Sequence, residues 1–153
     1  MANATESLSL AESVSHLLEE CRMVLPGVQA LFGFQLIAVF NSAFAERLTE
    51  TEQCLHLVAL AMVAMSGALV MTPAAYHRQT APREAPESLV ILGGRLLLAS
   101  MFPLMTGIGL DFYLIARLIL GERDLAAVSA IGLVLFFAVC WFIWPRLAAR
   151  RGR

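Results

Sequence analysis

The stretch LVILGGRLLLASMFPLMTGIGLDFYLIARLIL, Leu89–Leu120, decides the fold. It is too long and too apolar for the core helix of a water-soluble domain. A bilayer-spanning helix needs about 20 such residues at a rise of about 1.5 Å each. The stretch also carries Arg95, Asp111 and Arg117. A charge at the centre of a membrane helix costs roughly 2.5–3.5 kcal/mol on insertion scales, so each of the three needs a physical reason.

The two arginines have one. Arg95 and Arg117 stand about 33 Å apart along a helix, close to the hydrocarbon thickness of about 30 Å. Both are expected to snorkel to opposite interfaces and mark the ends of the span. Asp111 then lies about 9 Å inside the outer boundary. Gly93, Ser100 and Gly107 recur every seventh residue, and Asp111 follows one turn later. Small residues in such a stripe suit close helix packing, which would carry the carboxylate into a protein interface. Two readings stay open: a paired contact that ties helices together, or a proton or cation site. Gln35 and Asn41 of the first span are the candidate partners, with Arg117 poorly aligned in the same helix.

The rest of the chain agrees with a membrane bundle. Of 153 residues, 59% are hydrophobic and 15% charged, against about 25% charged in a soluble domain. Mean hydropathy is +0.73. All 11 basic residues are arginine and the formal net charge is -1, which gives no case for a nucleic-acid partner. Cys21, Cys54 and Cys140 lie far apart and form neither a metal motif nor a disulfide framework. No cofactor is implied. The N-terminus opens polar and acidic, unlike a signal peptide, so the first span is expected to act as its own insertion signal.

Residues 1–22 are expected to form an N-terminal segment with an amphipathic helix. Ser9 and Glu12 fit a capping box. Leu10, Val14, Leu17, Leu18 and Cys21 share one face, and Glu12, Glu19 and Glu20 the other. The acidic face disfavours anionic lipid, so the apolar face is expected to pack on protein. Residues 23–145 form a four-helix transmembrane domain, with spans at about 23–44, 54–76, 89–120 and 125–144. Pro26 and Gly27 sit at the start of the first span, Thr72 and Pro73 kink or end the second, Gly121 caps the third, Asp124 caps the fourth, and Pro145 stops it. Trp141 and Trp144 suit an aromatic belt. Residues 146–153 are a basic tail. With Arg22, Arg78, Arg83, Arg95 and the tail arginines on one side, the positive-inside rule places both termini in the cytoplasm.

Candidate site residues are few. Gln29, Gln35 and Asn41 give the first span an unusual polar content and either fix packing or line a polar pathway to Asp111. Met62, Met65 and Met71 read as packing. His56 and His77 stand about 32 Å apart, too far to share one haem, and each reads as an interfacial histidine. No nucleotide-binding loop, nucleophile constellation or metal-binding motif is present, so an enzyme is not expected.

LPGVQALFGF (Leu25–Phe34), PAAYHR (Pro73–Arg78), Arg95 opening the third span and Asp111 near its end together resemble a family of small bacterial four-helix integral membrane proteins. That family is a domain of unknown function in which some members are labelled sodium/proton antiporters. The resemblance runs from about Glu19 to Gly121. The asparagine common before the arginine in that family is Gly94 here, and Arg83 matches a basic residue of the loop. The resemblance implies the four-helix fold and a bacterial plasma membrane. Two functions are expected from the residues: cation or proton transport, by a homo-oligomer, with Asp111 as the ion site; or a non-catalytic scaffold or accessory subunit that binds a partner membrane protein.

Overall fold

The structure, a computed structural model, describes residues 10–80 and 87–151. Within them the chain is all-α: α1 (Leu10–Val39), α2 (Ser42–Arg47), α3 (Glu50–Thr80), α4 (Glu87–Leu120), α5 (Arg123–Ala138), a π-turn (Val139–Ile143) and α6 (Trp144–Arg151). Four stretches are long and apolar enough to cross a membrane: Glu12–Val39, Glu50–Gln79, Ser88–Leu120 and Arg123–Arg151. The connections α1–α2–α3 and α4–α5 lie at one end of the bundle, called here the turn end. The other end carries the start of α1 and the C-terminal helix.

Sevenfold spacing organises the interior. Buried α3 residues fall at Glu52, His56, Ala59, Val63, Ser66, Val70 and Pro73. On α1, Val14, Cys21, Val28 and Gln35 are buried, each seven residues after the last. On α4 the small-residue stripe is buried as expected at Gly93, Ser100 and Gly107. A repeat of 3.5 residues keeps one seam of each helix facing its neighbours. α4 is the hub, packing against α1, α3 and α5. Its glycines admit the neighbours. A Cβ on Gly107 would lie 2.8 Å from Val63 Cγ2 and 3.0 Å from the Ala59 carbonyl oxygen of α3. One on Gly93 would collide with Leu17 of α1, and one on Gly109 with Val134 of α5.

Several expected boundaries are corrected. The N-terminal amphipathic helix and the first span are one continuous helix with Pro26 inside it. Its apolar face, Val14, Leu17 and Cys21, is buried on protein, while Glu19 and Glu20 are exposed. The first span ends at Val39, not 44, because Asn41 accepts from the Ala43 backbone N–H at 3.0 Å and starts the separate helix α2. α3 runs through Thr72 and Pro73 to Thr80. Pro145 does not stop the last span. Proline clashes with the carbonyl four residues back and lacks an N–H. The π-turn just before it loosens the ladder there, with the Trp144 N–H donating to the Val139 carbonyl, and the helix continues to Arg151. Glu122, not Asp124, occupies the N-cap of α5, without a side-chain bond. Gly121 ends α4 as expected, at φ 74°. Ser9, Pro82, Arg83, Pro86 and Arg153, on which the capping box, the loop and part of the tail were read, lie outside the described residues.

The glycine contacts give a direct comparison. Gly107→Ala forces a methyl against a fully buried Val63 and a backbone carbonyl, an overpacking worth about 1–3 kcal/mol. Gly27→Ala meets nothing within 4 Å and gains about 0.5–1 kcal/mol of helix propensity. Thermal unfolding in one detergent is expected to show a lower midpoint for the first and an equal or higher midpoint for the second.

Candidate functional site

Three buried seams converge near the turn end, and each brings one polar side chain. Gln35, His56 and Asp111 lie about 6, 9 and 14 Å along α1, α3 and α4 from that end. They close a ring of hydrogen bonds. The Gln35 side-chain amide Nε2 donates to Asp111 Oδ2 at 2.5 Å. His56 Nδ1 lies 3.0 Å from Asp111 Oδ1. His56 Nε2 lies 3.0 Å from the Gln35 backbone carbonyl oxygen. Gln35 is 3% exposed, His56 6%, and the Asp111 side chain 17%. Phe44 of α2 covers the imidazole edge-on, ring centroids 5.2 Å apart.

This geometry counts protons. A carbonyl oxygen only accepts, so Nε2 must carry a hydrogen and donate it. A carboxylate also only accepts. One further proton therefore sits between Nδ1 and Oδ1, either on the ring as imidazolium facing carboxylate or on the acid facing a neutral ring. Without it, two lone pairs oppose each other at 3.0 Å. Among the described residues no group of three His, Cys, Asp or Glu side chains is arranged to hold a metal ion.

A second charged layer lies closer to the turn end. Thr49 precedes α3, and Glu52 reaches back to it. The Thr49 N–H and Oγ1 donate to Glu52 Oε2 at 2.9 and 2.8 Å, the glutamate half of a capping box. Arg117 Nε sits 2.6 Å from Glu52 Oε1, and Arg117 Nη1 donates to the Arg47 carbonyl at 3.2 Å. Arg117 is thus one half of an ion pair, not a lone snorkelling cation. A hollow of mixed polarity, lined by Thr49, Thr51, Glu52, Leu55, Tyr113 and Arg123, opens beside this layer.

Beside the ring, a cleft of about 370 Å³ opens between α1 and α4 under α2. Leu31, Phe34, Ala38, Leu114 and Leu118 make its walls apolar, while Gln35, Asn41, His56 and Asp111 supply its polar pole.

The chain matches a family of unknown function, DUF6328, over residues 3–145. It belongs to that family. Neither the curated proteins nor the solved structures gave a match.

In this DUF6328 member the residues expected to form a site are partly assembled. Gln35 meets Asp111 directly, and Asn41 lines the cleft but spends its carbonyl on capping α2. Gln29 is exposed on α1 and apart from the ring. Arg95 is exposed, toward the opposite end of α4. His56, expected at the interface, is instead a buried member of the ring. The signal that marks it is its register: it is one step of the α3 series Ala59, Val63, Ser66, Val70, Pro73 extended backwards, and that series is buried throughout.

Each ring residue leaves its partners stranded if removed. Asp111→Ala and His56→Ala are each expected to cost about 1–3 kcal/mol, the penalty for orphaning buried polar groups. The double variant is expected to cost less than the sum by about 0.5–3 kcal/mol. Denaturant unfolding of the three variants beside the parent measures this coupling.

Proposed function

We propose that the protein is a proton-coupled cation transporter in which His56 and Asp111 hold the transported proton. The observation that carries this reading is the imidazole clamped between a carbonyl and a carboxylate, which requires one shared proton. An intramembrane acid that no permanent cation neutralises is the usual mark of a proton or ion pathway. Arg117, the nearest guanidinium in α4, is engaged by Glu52 and the Arg47 carbonyl. The cleft, which His56 and Asp111 both line, gives the pair an approach from outside the bundle.

A chain this small acts as a homo-oligomer in this reading, in the plasma membrane of a bacterium. The end opposite the turns bears Arg22, Arg78, Arg95, Arg146, Arg150 and Arg151, against Arg47, Arg117 and Arg123 at the turn end. The positive-inside rule then puts both termini in the cytoplasm and the ring nearer the outer face. C-terminal fusions test this: a fluorescent-protein fusion is expected to fluoresce and an alkaline-phosphatase fusion to be inactive.

Transport is tested in proteoliposomes carrying an internal pH dye. Under opposed gradients of sodium, potassium or a small organic ammonium ion, the parent is expected to move protons with at least one of them. Asp111→Asn and His56→Gln are expected to lower that flux at least tenfold. A parent that stays silent under all three gradients overturns the reading.

A further inference from the structure

Resting on that reading, we propose that the cleft between α1 and α4 binds a lipophilic organic ammonium ion in exchange for the proton shared by His56 and Asp111. The first argument is shape. The cleft follows α4 from Asp111 to Leu118, about 10 Å, and its walls are Leu31, Phe34, Ala38, Leu114, Ile115 and Leu118. A volume of about 370 Å³ lies within the range of small-molecule sites, about 300–1,000 Å³. A hydrated inorganic cation finds no partners along such walls, whereas an alkyl or aryl body does.

The second argument is charge. With its shared proton, the His56–Asp111 pair is neutral overall. When that proton leaves, the pole carries one net negative charge beside an apolar wall. The surrounding groups do not cancel it. The part of α1 facing the cleft, residues 23–39, has no ionisable side chain. The charges of α2, Glu46 and Arg47, are exposed at its far end. On α3, Glu52 is held by Arg117 of α4. Arg123 of α5 lines the hollow beside Glu52, not the cleft. In addition, the buried Gln35 Oε1 has no hydrogen-bond partner among the described residues, and its residue lines the cleft. An ammonium head brings N–H donors to Asp111, which lines the cleft. The balance is simple: no covalent bond changes, one cation enters, and the proton leaves to solvent.

The probe is 4-phenylbutylammonium, with 4-phenylbutanol as its neutral counterpart of similar shape. Both are titrated against the full-length protein in nanodiscs of zwitterionic lipid, with empty nanodiscs subtracted and a pH indicator in weak buffer. The ammonium ion is expected to bind saturably and at least tenfold tighter than the alcohol. It is expected to release up to one proton per cation bound, and its affinity is expected to rise with pH while the pair remains protonated. Asp111→Asn is expected to abolish proton release. Ala38→Trp, which fills the cleft and leaves the ring residues themselves unchanged, is expected to weaken binding at least tenfold. Equal binding of the alcohol, binding without proton release, or no effect of Ala38→Trp overturns the proposal. Proton release without transport would instead count against the transport reading alone, and transport of sodium or potassium without ammonium binding would count against this inference alone.

Discussion

The structure depends on one constraint: among apolar helices, Asp111, His56 and Gln35 satisfy one another by hydrogen bonds. Each belongs to a different helix, so satisfying all three sets the position of α1, α3 and α4 relative to one another. Apolar seams with a seven-residue repeat are nearly self-similar, and a shift by one repeat would still bury valine and alanine. The ring breaks that degeneracy, because a shifted helix would strand an acid, an imidazole and an amide. Buried polar groups are best attested in this role of fixing register. Here the same groups also define the only point inside the bundle's described seams where an imidazole and a carboxylate face each other.

Close approach makes that ring possible. His56 and Asp111 meet because α3 and α4 come together at Gly107, where even a methyl group has no room. The glycine lies one turn from Asp111, and Ala59, which it touches, lies one turn from His56. Small residues supply packing where lipid offers no hydrophobic drive for helix association. The prolines are accommodated in different ways. Pro73 and Pro103 are buried within continuous helices, whereas Pro145 follows a π-turn. None of these three ends a helix.

Hydropathy alone makes four crossings legible, and the sevenfold stripe on α4 makes Asp111 legible as a residue that faces protein. Gln35 is legible as its partner because its polarity is out of place in the first span. The helix ends are not. By local propensity Pro26 suits the start of a span and Pro73 and Pro145 its end, yet packing along a full seam outweighs one missing hydrogen bond per proline. His56 was hidden for a different reason. Read by its distance from the end of the second span, it looks interfacial. Read by its register with Ala59, Val63 and Ser66, it is a buried residue. Glu52 is the same case: it resembles one more acid in an acidic loop until Thr49, three residues earlier, identifies it as the inner half of a capping box. Which partner each seam meets is a tertiary fact, so the union of Gln35, His56 and Asp111 appears only when the helices are assembled.

The two charged layers differ in how their charges are balanced. Glu52 and Arg117 form a pair in which the guanidinium is charged at every accessible pH, so the layer is permanently compensated. His56 and Asp111 are compensated only while they hold one proton. Arg117 cannot serve both layers: its Nε faces Glu52 and its Nη1 the Arg47 carbonyl, about 9 Å along α4 from Asp111. In the proposed reading, loss of the shared proton would leave Asp111 with only the Gln35 amide and the imidazole as partners, so a returning proton and another cation would compete for the same carboxylate.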